Sequence, residues 1–300
     1  MTKRNVAGFL AYALPAFFAL LIVGAVVTIM GIIVAGGWSS LTADFLLGAP
    51  EEGMTKGGIF PAIVGTFLLV VIMSLAGVPI GTFTAIYLSE YASSRSVLAR
   101  LIRFAVNTLA GVPAIVFGLF GLGFFIQFVG SGIDRSLYDD GALHWGQPNI
   151  LWASLTMALL TLPVVIVSVE EAIKTVPREL REASLALGAT KWQTIVKVVI
   201  PNSITGILTG GILAVSRGAG EVAPILFTGA AYFLPHLPSS LSDQFMELGY
   251  HIYIMATQSP DVEATRGIQY ATTLVLLLLT FALNFSAIFL RYTMRKRRMA

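Results

Sequence analysis

Six apolar runs, each long enough to cross a hydrocarbon layer as a helix, constrain this chain more than any other feature. They lie at about residues 9–34, 59–88, 104–129, 150–169, 202–229 and 270–290. In lipid an unpaired backbone group costs several kcal/mol, which leaves only helices or a closed barrel as spanning structures. A helix needs about 20 residues to cross and a barrel strand about 10, so these runs predict helices. The expected fold class is all-α, a polytopic membrane protein with six transmembrane helices. Composition agrees, because 12% of residues are charged against roughly 25% in soluble domains.

Charge placement tests the layout. Of the 19 Lys and Arg residues, 15 fall on one side of the six spans: at the N-terminus, at residues 95–103 and 174–197, and at the C-terminus. The other side holds Lys56, Arg135 and Arg266, while Arg217 falls inside a span. Basic residues mark cytoplasmic loops, so both termini are expected in the cytoplasm. The outer loops are acidic, with Glu51, Glu52, Asp134, Asp243, Glu247 and Glu263 among them. The longest outer loop is expected to carry a surface helix over about residues 241–256. The first run is too long for a cleavable signal and lacks an Ala-x-Ala exit. Without cysteine there are no disulfides or thiolate sites, and His144, His236 and His251 are too scattered to predict a metal centre. No Gly-x-x-x-x-Gly-Lys-Ser/Thr stretch occurs, so the chain is expected to bind no cofactor, ATP included, by itself.

The fifth run carries an anomaly. Arg217 and Glu221 sit in its middle. A charge at bilayer depth costs about 2.5–3.5 kcal/mol on insertion scales, and such residues are usually functional. Four residues apart, they share a helix face with Ser203, Gly206, Gly210 and Ala214. Small residues let a neighbouring helix come close. The opposite sector, with Thr209, Ile212, Val215 and Ser216, is expected to face lipid. Pro224 is expected to weaken the helix near Gly220. Two readings follow: an anion pathway, since arginine stays charged and its fork matches oxyanions, or a structural ion pair fixing helix packing.

The connection over residues 170–200 is the longest on the basic side. Pro177 suits a helix start, Gly188 suits a C-terminal cap, and Thr190 suits an N-cap. Two short helices around a glycine turn would form a compact knob, with Pro201 marking where span five begins. On these grounds alone the knob is either a docking element or an interfacial hairpin.

Glu182-Ala183-Ser184-x-x-x-Gly188, followed by Ile200-Pro201, resembles the EAA loop of ABC importer permeases. It departs in Ser184, where alanine is usual, and in Ile200, where leucine is usual. Three further stretches resemble permeases of the phosphate-specific ABC importer: residues Ala85 to Ala92, Leu109 to Leu122, and Arg217-Gly-Ala-Gly-Glu-Val-Ala-Pro-Ile-Leu-Phe-Thr-Gly229. The last is closer to the PstA-type than to the PstC-type subunit. The resemblance implies three parts. Residues 1–58 hold the N-terminus, first span and outer loop, residues 59–291 the type-1 ABC transmembrane domain, and residues 292–300 a basic tail.

It also implies coupling helices that dock on an ATPase through Glu182, Ala183, Ser184, Gly188 and Pro201. Arg217 and Glu221 would line the phosphate path. The implied partners are a PstC-type permease, two ATPase subunits that hydrolyse ATP with Mg, an external phosphate-binding protein, and the lipid bilayer of a bacterial or archaeal inner membrane. The chain itself would be non-catalytic and would work by alternating access. The alternatives are a permease for sulfate or molybdate, the PstC-type subunit, and an ATP-independent anion transporter. Glu90, near Arg95, is expected to be an interface charge. Asn107 and Gln127 are expected to bond to neighbouring helices, and Trp38, Trp145 and Trp152 to anchor at membrane boundaries.

Overall fold

The computed structural model describes residues 3–299 except 55, 94, 139, 140 and 260, with side chains from residue 12 to residue 294 apart from 53. The side chains of Lys3, Arg4 and the basic tail Arg295, Lys296, Arg297 and Arg298 lie outside the described residues. Six helices among the described residues are long and apolar enough to cross a membrane.

The chain begins with α1 (Lys3–Gly37). A two-strand hairpin, Pro50–Glu51 against Lys56–Gly57, leads to α2 (Phe60–Tyr91), whose last five residues widen into a π-type turn. Next come α3 (Val97–Ala110) and α4 (Ala114–Leu137). The third apolar run therefore departs from expectation. Pro113 lacks the N–H that would join α4 to α3, so the run splits at Gly111-Val112-Pro113. The first piece, α3, is capped by Ser96, which accepts from the Ala99 N–H at 3.3 Å. It is amphipathic and buries Ala99 and Val106.

The central post is α5 (Ile150–Lys174). Asn149 caps it, accepting from the Trp152 N–H at 2.9 Å. It is the most buried of the spans and packs on α2, α3 and α7. The knob helix α6 (Arg178–Ala186) follows, then α7 (Lys191–Gly218). Here the second knob helix is not separate from span five. A widened turn at Ile195–Val199 precedes Pro201 and displaces the hydrogen-bond ladder where proline has no donor, so the helix runs through.

The fifth run also ends early. Regular helix stops at Gly218, and residues 219–229 form a chain of tight turns. The Pro224 ring would clash with the carbonyl of Gly220, and the paired glycines hold no helical bias. Hydropathy does not separate these states, because the turns are apolar and packed inside protein. Ile225 and Thr228 are fully buried.

The outer segment is corrected as well. Its helix, α8 (Leu248–Thr257), leaves Tyr253 exposed but packs its other face against α2 and α9 (Val262–Met299). Leu248, Ile254 and Met255 are fully buried.

The small-residue face of α7 meets α5 as the wheel predicts. A Cβ on Gly206 would overlap the Ala172 Cβ, so only glycine permits this approach. The opposite sector is not a lipid face, because α9 covers it. Ser216 donates to the Asn284 Oδ1 at 2.6 Å, and the Arg291 guanidinium donates to the Thr209 hydroxyl at 3.0 Å.

Candidate functional site

Arg217 sits in the last turn of α7, where a cation complements the exposed carbonyls of the helix end. Glu221 lies three residues past the helix, so the pair is not a helix-face pair. The chain turns back through 3.4–3.5 Å contacts from the Gly220 and Glu221 N–H groups, and still brings the Glu221 Oε1 to 3.6 Å from the Arg217 Nε. That single contact is long, and the side chains remain 40% and 30% exposed. The Arg217 side chain makes no other polar contact among the described residues. An exposed pair of this kind contributes little to stability, which weakens the purely structural reading.

Arg217 opens into a pocket of about 290 Å³ that also receives Asn107 and Ala110 of α3 and Pro163, Val167 and Ser168 of α5. The wall is mostly apolar, so the charge acts in a lower dielectric than water and its field reaches further. No carboxylate lines the pocket. Asn107 and Gln127 make no hydrogen bonds to neighbouring helices among the described residues, against expectation.

At the basic end the knob is built as its sequence signals require. Pro177 precedes α6, and Gly188 turns the chain at φ +84°, a conformation that favours glycine. Thr190 and Gln193 form a reciprocal capping box. The Ser184 hydroxyl meets the Thr194 hydroxyl at 2.9 Å, so serine in place of alanine ties the two arms of the knob together. Glu182 and Ala183 are exposed, and so are Leu187 and Trp192 at the tip. Pro201 sits one turn beyond the knob, inside α7.

No local signal in the residues marks the ion pairs behind the knob. The Arg181 guanidinium contacts the Glu90 carboxylate at 2.9 Å, with both side chains mostly buried. The same guanidinium donates to the main-chain carbonyls of Ile173, Val176 and Pro177, capping the end of α5. Glu90 is thus paired across 91 residues of sequence rather than with Arg95. Beside it, Arg103 of α3 contacts Glu170 at 2.7 Å and donates to the Leu88 carbonyl at 3.1 Å. Lys174 joins Glu170 at 3.1 Å. These contacts tie the knob, α2, α3 and α5 into one block.

The acidic end is held by buried acceptors. Asp134 accepts from the main-chain N–H groups of His144, Trp145 and Gly146. Trp152 is buried and stacked on Phe125, with its indole N–H on the Trp145 carbonyl, so it is a packing residue rather than a boundary anchor. Glu247 caps α8 from a buried position, and burial pushes its carboxyl up to about 7. Burial also pushes the His251 imidazole down to about 4.

Known proteins resemble this chain. A family model described as the binding-protein-dependent transport system inner membrane component matches residues 77–299. The chain is 32% identical over 276 residues to the probable ABC transporter permease protein YqgI of Bacillus subtilis, spanning 87% of this chain and 88% of that protein. It is 32% identical over 277 residues to the phosphate transport system permease protein PstA 1 of Mycobacterium tuberculosis, spanning 91% and 84%. Among solved structures, it resembles a chain of a bacterial alginate ABC transporter in complex with an alginate pentasaccharide-bound periplasmic protein. That match has TM-score 0.67 and 15% identity, over 95% of this chain and 94% of that one. It also resembles a chain of the inward-facing MetNI methionine ABC transporter, with TM-score 0.55 and 18% identity over 79% and 94%. At these identities the structural likeness is one of fold.

Proposed function

This chain belongs to the binding-protein-dependent transport system inner membrane components, and from that premise we propose that it is the PstA-type permease subunit of an ATP-driven importer of inorganic phosphate. The chain is a multi-pass inner membrane protein. Its relatives over most of its length include PstA phosphate permeases at about one-third identity. In this reading both termini face the cytoplasm, as the basic loops require. The chain pairs with a PstC-type permease, docks two ATPase subunits that bind and hydrolyse ATP with Mg, and receives phosphate from an external binding protein.

The observation that carries the mechanism is Arg217: a half-exposed guanidinium at a helix end, held by one long contact to Glu221, facing an apolar-walled pocket without a carboxylate. Its unused donors attract a phosphate in a low-dielectric passage. Glu221 offsets part of that attraction, and a site that holds its ion weakly releases it. Alternating access then exposes the pocket to one side at a time. At the basic end Glu182, Ala183 and the exposed tip residues Leu187 and Trp192 meet the ATPase, with Ser184 and Gly188 holding the knob in shape and Pro201 marking where its second arm becomes α7. The chain performs no chemistry of its own.

Radiolabelled phosphate uptake, measured with and without this chain and competed by sulfate, tests the reading. The expected result is uptake that depends on the chain, on ATP and on the binding protein, with little competition by sulfate. Uptake of sulfate in its place would transfer the chain to another oxyanion importer. Uptake of either anion without ATP would overturn the importer assignment.

A further inference from the structure

Three helices each send one polar side chain into the Arg217 pocket: Asn107 from α3, Ser168 from α5 and Arg217 from α7. The remaining wall is valine, alanine and proline. An apolar wall with a few convergent polar groups is the usual composition of a small-ligand site. The Asn107 side chain, exposed on α3, makes no hydrogen bond among the described residues. Ser168 makes none either, although hydroxyls on the same helix, Thr156 and Thr161, donate back to carbonyls one turn earlier. Ser168 lies where α5 meets α7, its Cβ 3.2 Å from the position a Cβ on Gly210 would take. Asn107 continues a row of donors on one face of α3, since Arg100, Arg103 and Asn107 follow at steps of three and four.

We propose that Asn107 and Ser168 complete the anion site around Arg217, donating to the oxygens of a passing inorganic oxyanion while Arg217 supplies the charge. This rests on the reading of Arg217 as the pathway cation, and it adds the groups that orient and hand on the ion. Amide and hydroxyl donors bind oxyanions without adding charge, so they share the load of Arg217 and do not trap the ion. Arg103 and Arg100 lie beyond Asn107 on the same face, toward the basic end, where Arg103 is already paired with Glu170.

The test is inorganic phosphate uptake by the complete transporter in proteoliposomes, comparing Asn107→Ala with Asn107→Asp, and including Arg217→Gln. Aspartate is nearly the same size as asparagine but places a negative charge where the anion passes. Asn107→Ala is expected to lower the maximal rate about tenfold to a hundredfold, from loss of a bond to a charged group. Asn107→Asp is expected to lower it further, by about tenfold or more beyond alanine, from like-charge repulsion. The half-saturating phosphate concentration, set by the binding protein, should stay constant. A residue that matters only for packing gives the reverse order, with the isosteric aspartate milder than alanine. That order, or rates within about twofold of wild type for both, overturns the proposal. If Asn107→Asp does not assemble, Ser168→Thr against Ser168→Val, equal in size, keeps or removes the hydroxyl: a lower rate for valine than for threonine is expected, and equal rates overturn the proposal. Arg217→Gln separates the two claims: its failure to transport, beside normal Asn107 and Ser168 variants, sinks only this inference, whereas normal uptake by Arg217→Gln sinks the site itself.

Discussion

Arg181→Ala removes the clamp between the knob and the membrane helices. In the intact protein its guanidinium lies 2.9 Å from Glu90, with side-chain exposures of 19% and 11%. Truncation leaves a mostly buried carboxylate without its partner, which costs about 3–5 kcal/mol. It also frees the carbonyls of Ile173, Val176 and Pro177 at the end of α5. The cost falls locally, because the protein avoids it by letting α6 move away and water reach Glu90. A change of 3–5 kcal/mol corresponds to roughly two to four powers of ten in the balance between docked and detached knob. ATP hydrolysis would then no longer drive the block of α2, α3 and α5. The assay is phosphate moved per ATP hydrolysed, in proteoliposomes with purified partners. The expected result is a ratio reduced by at least about tenfold, with insertion and ATP binding intact. Exchanging the charges, Glu90→Arg with Arg181→Glu, should recover part of the coupling lost in either single variant. An unchanged ratio in Arg181→Ala, or no recovery in the exchange, refutes the clamp.

Three further outcomes are expected. Gly188→Val forces a β-branched residue to φ +84°, a strain of about 1–3 kcal/mol, and should lower substrate-stimulated ATPase activity without changing membrane insertion; Ser184→Ala, which removes one hydroxyl contact, should change it little. Gly206→Val places side-chain atoms where α5 already has Ala172, so α7 must separate from α5, and loss of folded protein in detergent thermal-shift assays is expected. Burial lowers the imidazole of His251 from 6.5 to about 4 and raises the carboxyl of Glu247 from 4.5 to about 7. Between pH 4.5 and 6.5 the histidine makes stability fall with falling pH, and the glutamate makes it fall with rising pH, so the two slopes oppose. Thermal stability should be nearly flat there; Glu247→Gln should unmask a fall toward low pH and His251→Gln a fall toward high pH, each up to about 1.4 kcal/mol per pH unit.

Much of this was legible in the residues. Long apolar runs settle helical spans because lipid offers the backbone no partner. Local signals at Pro177, Gly188 and Thr190 placed the knob, since caps act over only a few residues. The spacing of Gly206 and Gly210 disclosed the face that meets α5. What failed was information that is not local. Hydropathy ran on past Gly218 because a buried turn is as apolar as a helix. The run around Pro113 looked continuous for the same reason. By helical period alone Thr209 and Ser216 face lipid, and only packing shows that Arg291 and Asn284 reach them. The partnership of Glu90 with Arg181 spans 91 residues, so no window could contain it. Its place in the third apolar run suggests that Asn107 bonds within the protein, but its side chain lines the pocket instead.

The central claim is that the positive charge of Arg217 moves phosphate. Uptake by Arg217→Gln, at matched membrane levels and with normal nucleotide binding by the ATPase, tests it most directly. Glutamine keeps hydrogen-bonding capacity but loses the charge. Arg217→Lys, which restores charge without the fork, serves as the control. The account predicts background uptake for glutamine and partial uptake for lysine. Uptake by Arg217→Gln equal to wild type would contradict it.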